Sequence, residues 1–336
     1  MRVAVDAMGG DHAPREIIRG VKEGLAHLAP ADQLLLYGPQ DVLAAECAAV
    51  GLSDPRVQHV HCTQAIEMCE SPVEALRQKK DSTIGRMAQA AGKGEVDAII
   101  SAGNTGAFVA ASQLRIKPIP GISRPGIAVV VPTFHGPAII CDVGANVAPK
   151  PHHLHEYARM CAVFAKLILG IEETRIGLVS IGEEESKGNV LVKEARNLIK
   201  VDPTLNFVGN VEGRDIFAGT GNVFICDGFV GNVILKLTEG LAEGIFKTVR
   251  REIAEAAPDF VRQLEPVIAN IWKKHDFAEY GGAPLLGINS VVIICHGRSD
   301  HRAIMNAIRV SIEFRKVDLI GVIARQMSKH GREDAA

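Results

Sequence analysis

Five stretches of the chain set small, acidic and amide-bearing residues directly after an aliphatic run. They are DAMGGDHAP after Val3 to Val5, SAGNTGA after Ile99, DVGANVAP after Ile140, SIGEEESKGN after Val179 and CDGFVGN after Phe224. In open α/β sheets ligands bind beyond the carboxyl ends of strands, where glycine lets backbone amides approach and the next helix presents its positive N terminus. One Gly-Asn loop is accounted for by a tight turn that needs positive φ. Five in one chain point instead to an anionic ligand, with phosphate the natural candidate. Asn104, Thr105, Asn146, Asn189 and Asn232 donate hydrogen bonds from neutral side chains, and Lys187 and Arg214 bring positive charge, Arg214 fitting a surface position equally well.

Asp6, Asp11, Asp142 and Asp227 stand at or just beyond predicted strand ends, where carboxylates either ligate a divalent cation or cap helices and orient neighbouring donors. The second role is expected, and no metal site is assigned. The clusters HVH (His59, His61) and HHLH (His152, His153, His155) lack HExxH or C2H2 spacing and read as surface or helix-start histidines. No GxGxxG or GxxxxGK[ST] stands at a strand-to-helix turn, so nothing speaks for NAD or ATP. The seven cysteines are scattered without a CxxC pair and read as reduced, mostly buried thiols.

The elements that must position these loops are set by the hydrophobic pattern. Strands are expected around Val3–Val5, Leu34–Tyr37, Ala98–Ser101, Ala128–Val131, Ala138–Asp142, Ile176–Ile181, Phe207–Val211, Val223–Asp227 and Val291–Cys295. Helical spacing or strong helix formers occupy Pro14–Leu28, Ser82–Lys93, His155–Leu169, Val190–Lys200 and Phe229–Ala256. That alternation predicts a largely parallel sheet wrapped by helices, hence an α/β fold. Residues 1–336 read as one catalytic unit of two α/β lobes, with a bend in the Pro- and Gly-rich stretch 117–125. A helical hairpin is expected over 257–285, where Phe260, Val261, Leu264, Val267, Ile268, Ile271 and Trp272 recur at helical spacing before Lys273 and Lys274. It suits either a second subunit or a membrane surface. The polar tail after Ser328 is expected to fray.

A length of 336 residues allows about two domain-sized cores. Hydrophobic residues at 47% and charged residues at 23% are ordinary globular values, and the net charge of -2 argues against a nucleic-acid binder. No apolar run reaches a bilayer-spanning length, and the acidic start MRVAVDAMGGD is unlike a signal peptide, so a cytoplasmic protein is expected.

Taken together, VDAMGGDHAP from Val5, KKDSTIG from Lys79, SAGNTGA from Ser101, DVGANV from Asp142, IGEEESKGN from Ile181, NFVGNVEGRDIF from Asn206, CDGFVGNVILK from Cys226 and YGGAPLLGIN from Tyr280 make the chain resemble the bacterial acyl carrier protein:phosphate acyltransferases over nearly its whole length. The resemblance implies a three-layer α/β/α fold, similar to isopropylmalate dehydrogenase and phosphotransacetylase, in a homodimer without cofactor or obligatory metal. It also implies transfer of a fatty acyl group from acyl carrier protein to inorganic phosphate, giving acyl phosphate for phospholipid synthesis. The consumer of that product would be a membrane glycerol-3-phosphate acyltransferase, with the protein partly peripheral to the inner face of the membrane.

Phosphate near neutral pH is already partly dianionic and attacks a thioester without a strong base. The barrier therefore lies in holding two anions, the nucleophile and the developing oxyanion. Lys187 is expected to serve the phosphate or the oxyanion, with Asn232 as a further donor. His12 either contacts phosphate, helps the thiolate leave or caps a helix. The expected substrate-binding set is Asp6, Gly9, Gly10, Asp11, Ser101, Asn104, Thr105, Asp142, Asn146, Glu183, Asn189 and Asp227.

Overall fold

Short runs of Val, Ile and Leu, buried on both faces, alternate with helices in the computed structural model, which describes residues 1–256, 264–268, 270–271 and 277–330. The chain forms β1 (Arg2–Asp6), α1 (Arg15–Gly24), β2 (Gln33–Gly38), α2 (Gln40–Val50), β3 (Val57–His61), α3 (Pro72–Gln78), α4 (Thr83–Gly92), β4 (Ala98–Ser101) and α5 (Thr105–Arg115). It continues through β5 (Gly126–Thr133), β6 (Gly136–Cys141), α6 (Pro151–Leu169), β7 (Ile176–Val179), α7 (Val190–Val201), β8 (Phe207–Val211), β9 (Val223–Ile225) and α8 (Gly228–Ala256). The last elements are β10 (Ala283–Leu286), β11 (Val291–Ile294), α9 (His301–Lys316) and α10 (Leu319–His330).

These elements make two compact units. The first holds Met1–Val129, Arg159–Glu172 and Ala278–Ala336, and the second Val130–Ala158 and Glu173–Phe277. In the first, the strands run in the order β3-β2-β1-β4-β11-β10-β5. All pairings are parallel except those of β10, which runs antiparallel to β11 and β5. The chain order reverses between β1 and β4, the place in a doubly wound sheet where the loops part and leave a crevice. In the second unit β6, β9, β7 and β8 lie side by side and parallel. Parallel strands need helical crossovers, and helices covering both faces account for the near-continuous apolar runs in β1, β4, β7 and β9.

In the first unit α1 lies so close to α9 that a Cβ on Gly20 would stand 2.5 Å from Ile304 Cβ and 2.6 Å from the His301 carbonyl oxygen. His301 Nδ1 also meets Glu16 at 2.8 Å, fixing the start of α9 on α1. Burial alone would raise the Glu16 carboxyl, but hydrogen bonds from His301 and Arg19 outweigh it and hold the group at about 2.

The nine expected strands and five expected helices carry the right type over most of their length, whereas β3, α2, α3, α5, α9 and α10 have no counterpart in the expected pattern and β10 is a strand at the end of the span 257–285 expected as a helical hairpin. Of the expected hairpin over 257–285, Phe260, Val261, Trp272, Lys273 and Lys274 lie outside the described residues. The chain is helical to His330, and residues 331–336 of the tail also lie outside them. Among the described residues no helix is long and apolar enough to cross a membrane.

The α1–α9 contact gives a stability prediction. Gly20→Val must push the two helices apart and should destabilise the protein by about 2 kcal/mol or more, read as a lower urea midpoint. An unchanged midpoint would contradict the packing.

Candidate functional site

In the first unit the chain leaves β1 and β4 as neighbours, and both turns are organised by one carboxylate. Asp6 Oδ2 accepts the Ser101 hydroxyl at 2.7 Å, Asp6 Oδ1 accepts the Met8 amide at 3.2 Å, and Ser101 Oγ in turn accepts the Gly103 amide at 3.0 Å. Asp6 is 2% exposed. Burial pushes its carboxyl above the ordinary carboxylate range, while hydrogen bonds from Ser101, Thr83, Met8 and Gly9 work the other way. Gly9 is obligatory here, because a Cβ would come within 2.6 Å of Asp6 Oδ2 and 2.7 Å of the Gly103 nitrogen. Gly10 has φ +106, and the Asp11 amide donates to the Gly297 carbonyl at 2.7 Å, which draws a third loop to the cluster.

Asn104 caps α5, its Oδ1 accepting the Ala107 amide at 3.0 Å. Its Nδ2 donates to the carbonyls of Glu67, Met68 and Glu70 at 3.0–3.3 Å. The side chain expected to donate to phosphate is thus committed to bracing a neighbouring loop, because a 6% exposed amide must satisfy its own polar atoms first. What the loop offers instead is backbone: the amides of Thr105 and Gly106, in the first turn of α5, have no partner among the described residues. Asp11 and His12 lie exposed at the rim.

The second unit repeats the device. Asp142, fully buried, accepts the amides of Gly144 and Ala145 on Oδ1 at 3.1 and 3.0 Å and the Asn146 amide on Oδ2 at 2.7 Å. Asn146 Nδ2 donates to the Tyr157 hydroxyl at 2.8 Å, and its carbonyl accepts the Gly228 amide at 2.8 Å. Gly231 lets the start of α8 lie against this turn, since a Cβ there would fall 1.9 Å from the Asp142 carbonyl oxygen. Asp227 caps α8 by accepting the Phe229 and Val230 amides at 3.0 and 2.9 Å, and Asn189 caps α7 by accepting the Val192 amide at 2.9 Å. Both groups therefore orient helix starts, the ordinary task of Asp and Asn just before a helix. Asn232 is exposed and faces Gly144.

Lys187 sits on the turn between β7 and α7, its amide bonded to the Glu184 carbonyl at 2.9 Å. Its ammonium has no partner among the described residues. Glu185 turns to Lys200 and Arg196, each at 2.8 Å, and those hydrogen bonds hold its carboxyl at about 2. Glu183 is exposed on the same turn. Glu185 therefore does not balance the loop lysine. The Lys187 charge stays available to an anion.

The expected residues gather into two clusters, one in each unit. Asp6, Gly9, Gly10, Asp11, His12, Ser101, Asn104 and Thr105 meet in the first, and Asp142, Asn146, Asp227 and Asn232 in the second, whose β7–α7 turn carries Glu183, Lys187 and Asn189. Sequence reasoning misses three supporting residues: Thr83 on Asp6, Tyr157 on Asn146, and Asn210, whose Nδ2 braces the Glu184 carbonyl at 3.1 Å. Thr83 and Asn210 stand inside the stretches KKDSTIG and NFVGNVEGRDIF, whereas Tyr157 has no signal beyond its helix. The histidines have local partners: His61 Nδ1 accepts the Gln40 amide at 3.1 Å, His153 Nδ1 the Lys150 amide at 2.9 Å, and His155 pairs with Asp202 at 2.7 Å.

Asp142→Ala would strip three loop amides of their acceptor inside the protein. It should cost about 3 kcal/mol in urea unfolding. A loss below about 0.5 kcal/mol, the range of ordinary surface changes, would show that the carboxylate does not hold the loop.

The profile of the fatty acid synthesis protein family matches residues 1–321. A phosphate acyltransferase of Desulfitobacterium hafniense (strain DSM 10664 / DCB-2) is 44% identical over 335 residues, covering 98% of each chain. Another, from Pelotomaculum thermopropionicum, is 46% identical over 322 residues, covering 93% of this chain and 91% of its own. Among solved structures, a phosphotransacetylase from Streptococcus pyogenes superposes with a TM-score of 0.65 at 17% identity, covering 96% of this chain and 94% of its own. That likeness establishes the fold, a mostly parallel three-layer α/β/α arrangement.

Proposed function

The chain belongs to the phosphate acyltransferases of the fatty acid synthesis protein family and is an acyltransferase acting on phosphate, and from that premise we propose that its donor is a fatty acyl thioester of acyl carrier protein and its product acyl phosphate. The observation that carries the proposal is the ammonium of Lys187, held on a glycine-bounded turn with no carboxylate of its own among the described residues.

A phosphate oxygen attacks the thioester carbonyl carbon, the carbonyl π pair moves onto oxygen, and collapse of the tetrahedral species breaks the carbon–sulfur bond. The carrier leaves as its thiolate, and the acyl group stays on phosphate as a mixed anhydride. A thiolate of pKa about 8 to 9 departs without much help, so His12 contributes by contact with phosphate more than by protonation. Lys187 neutralises the incoming phosphate or the oxyanion, and Asn232 adds a neutral donor. Asp6, Asp142, Asp227 and Asn189 are positioning residues that hold loops and helix starts in place. Glu183 and Asn146 belong to the same loops, and the amides of Gly10, Thr105 and Gly106 offer a cradle for oxygens. No cofactor enters these steps.

A homodimer fits the long α8. Phe229, Val233, Leu237, Leu241, Ile245 and Val249 recur every fourth residue along it and are all exposed, between 41% and 68%. Such i±4 ridges are the ones that interdigitate when two helices pack. The acyl phosphate would pass to a membrane glycerol-3-phosphate acyltransferase, with the protein cytoplasmic and partly peripheral to the membrane. The phospholipid destination rests on that partner.

The assay uses purified protein with palmitoyl-loaded acyl carrier protein and labelled phosphate, without metal or nucleotide, and traps the anhydride with hydroxylamine. Wild type should give labelled acyl phosphate and palmitoyl hydroxamate. Lys187→Ala should lose about 100-fold or more in rate with an unchanged melting temperature. Near-normal turnover by that variant would remove Lys187 from the mechanism. Turnover on acetyl-CoA alone would replace the proposed donor.

A further inference from the structure

Away from the loops at the carboxyl ends of the strands, the first unit has a cavity of about 490 Å³ between α4 and the sheet. Its residues reach from Arg2, at the amino end of β1, to Tyr37 in β2 and Val60 in the edge strand β3. In the register of the sheet Arg2, Ala4 and Asp6 pair with Gln33, Leu35 and Tyr37, and alternation puts Leu35 and Tyr37 on one face. The floor is apolar, formed by Leu35, Val60, Ala90 and Val96. The rim is not.

Tyr37 is 4% exposed, yet its hydroxyl has no hydrogen-bond partner among the described residues. Because Tyr37 lines the cavity, its hydroxyl can donate to a group from outside the chain. Two more donors on the same wall, the Arg2 guanidinium and the Gln89 amide, are also without partners among the described residues. Arg86 gives one side of its guanidinium to Asp81 and lines the cavity with the rest. Lys93 lies 3.9 Å from Glu95, the one carboxylate among the lining residues. Against these three cations stand Glu95 and the Asp81 paired with Arg86, which leaves one net positive charge and suits an anion.

We propose that this cavity binds a small organic phosphate monoester, with its phosphoryl group among Arg2, Arg86 and the Tyr37 hydroxyl and its organic body on the apolar floor. Guanidinium forks match phosphoryl oxygens two at a time, and a phosphomonoester carries close to two negative charges near neutral pH. A bare phosphate ion would leave most of the cavity unfilled, and a carboxylate offers one oxygen fewer to the donors. The site is separate from the acyl-transfer loops and does not depend on the donor assigned above. A ligand there binds the folded sheet and α4 together, so it acts as a stabilising effector and not as a substrate.

Phenyl phosphate is the probe, because it joins a phosphoryl dianion to an apolar ring. Isothermal titration of wild type, Arg2→Gln and Tyr37→Phe should show Kd rising about tenfold in the first variant and about fivefold in the second. Arg2 is exposed and Phe keeps the shape of Tyr, so the melting temperatures without ligand and the acyl-transfer rate should stay at wild-type values. Unchanged affinity in both variants would place the probe elsewhere and overturn the assignment, as would failure of wild type to bind at millimolar concentration. Inorganic phosphate is the second titrant. If its affinity equals that of phenyl phosphate and responds equally to both variants, the organic body has no seat and the cavity is not a monoester site.

Discussion

A carboxylate buried at the end of a parallel strand, accepting the amides of the succeeding turn, is the interaction on which both clusters depend. A chain leaving a β-strand for a helix has backbone N–H groups that neither element satisfies. Asp6 and Asp142 satisfy some of them internally, through the Met8 amide and, by way of Ser101 Oγ, the Gly103 amide in one unit and through Gly144, Ala145 and Asn146 in the other. The turns are thereby fixed from the inside. The remaining donors, at Thr105 and Gly106 in the first unit and on Lys187 in the second, have no partner among the described residues. The glycines answer the same requirement, because a side chain at Gly9 or Gly231 would collide with the carboxylate or with its own backbone.

The five loop endings are legible in the sequence because glycine, asparagine and aspartate at a strand-to-helix turn rarely recur so often without a ligand to hold. Their division of labour is not. Asn104, Asn189 and Asp227 look like ligand donors in one dimension, but each accepts amides at the start of a helix, a job set by the residue three positions on. Asn104 alone also reaches three carbonyls between Glu67 and Glu70, a contact no spacing rule could supply. Lys187 shows the converse. Its three glutamate neighbours suggest a balanced surface loop, yet Glu185 turns to partners on α7, and only the fold shows which way it turns.

The parallel core is plain in its apolar runs, and the part that escapes is the weakly patterned margin. Strand β3, VQHVH, is an edge strand whose half-buried alternation carries two histidines, so it resembles a ligand cluster. Strand β10, APLL, is short, contains Pro284 and sits between glycines, and its antiparallel place between β11 and β5 is set by neighbours distant in sequence. Helix α5 begins inside SAGNTGA, where small residues that allow close packing have the look of loop. Family membership accounts for phosphate as acceptor. In the proposed mechanism the rate enhancement comes from preorganised donors that stabilise charge, without a strong base.

The most direct measurement is an amide-resolved NMR titration of the perdeuterated protein with inorganic phosphate. Thr105 and Gly106 should show saturable shifts. Saturable binding of phosphate that leaves both of those amides unmoved would contradict the role given to the first turn of α5.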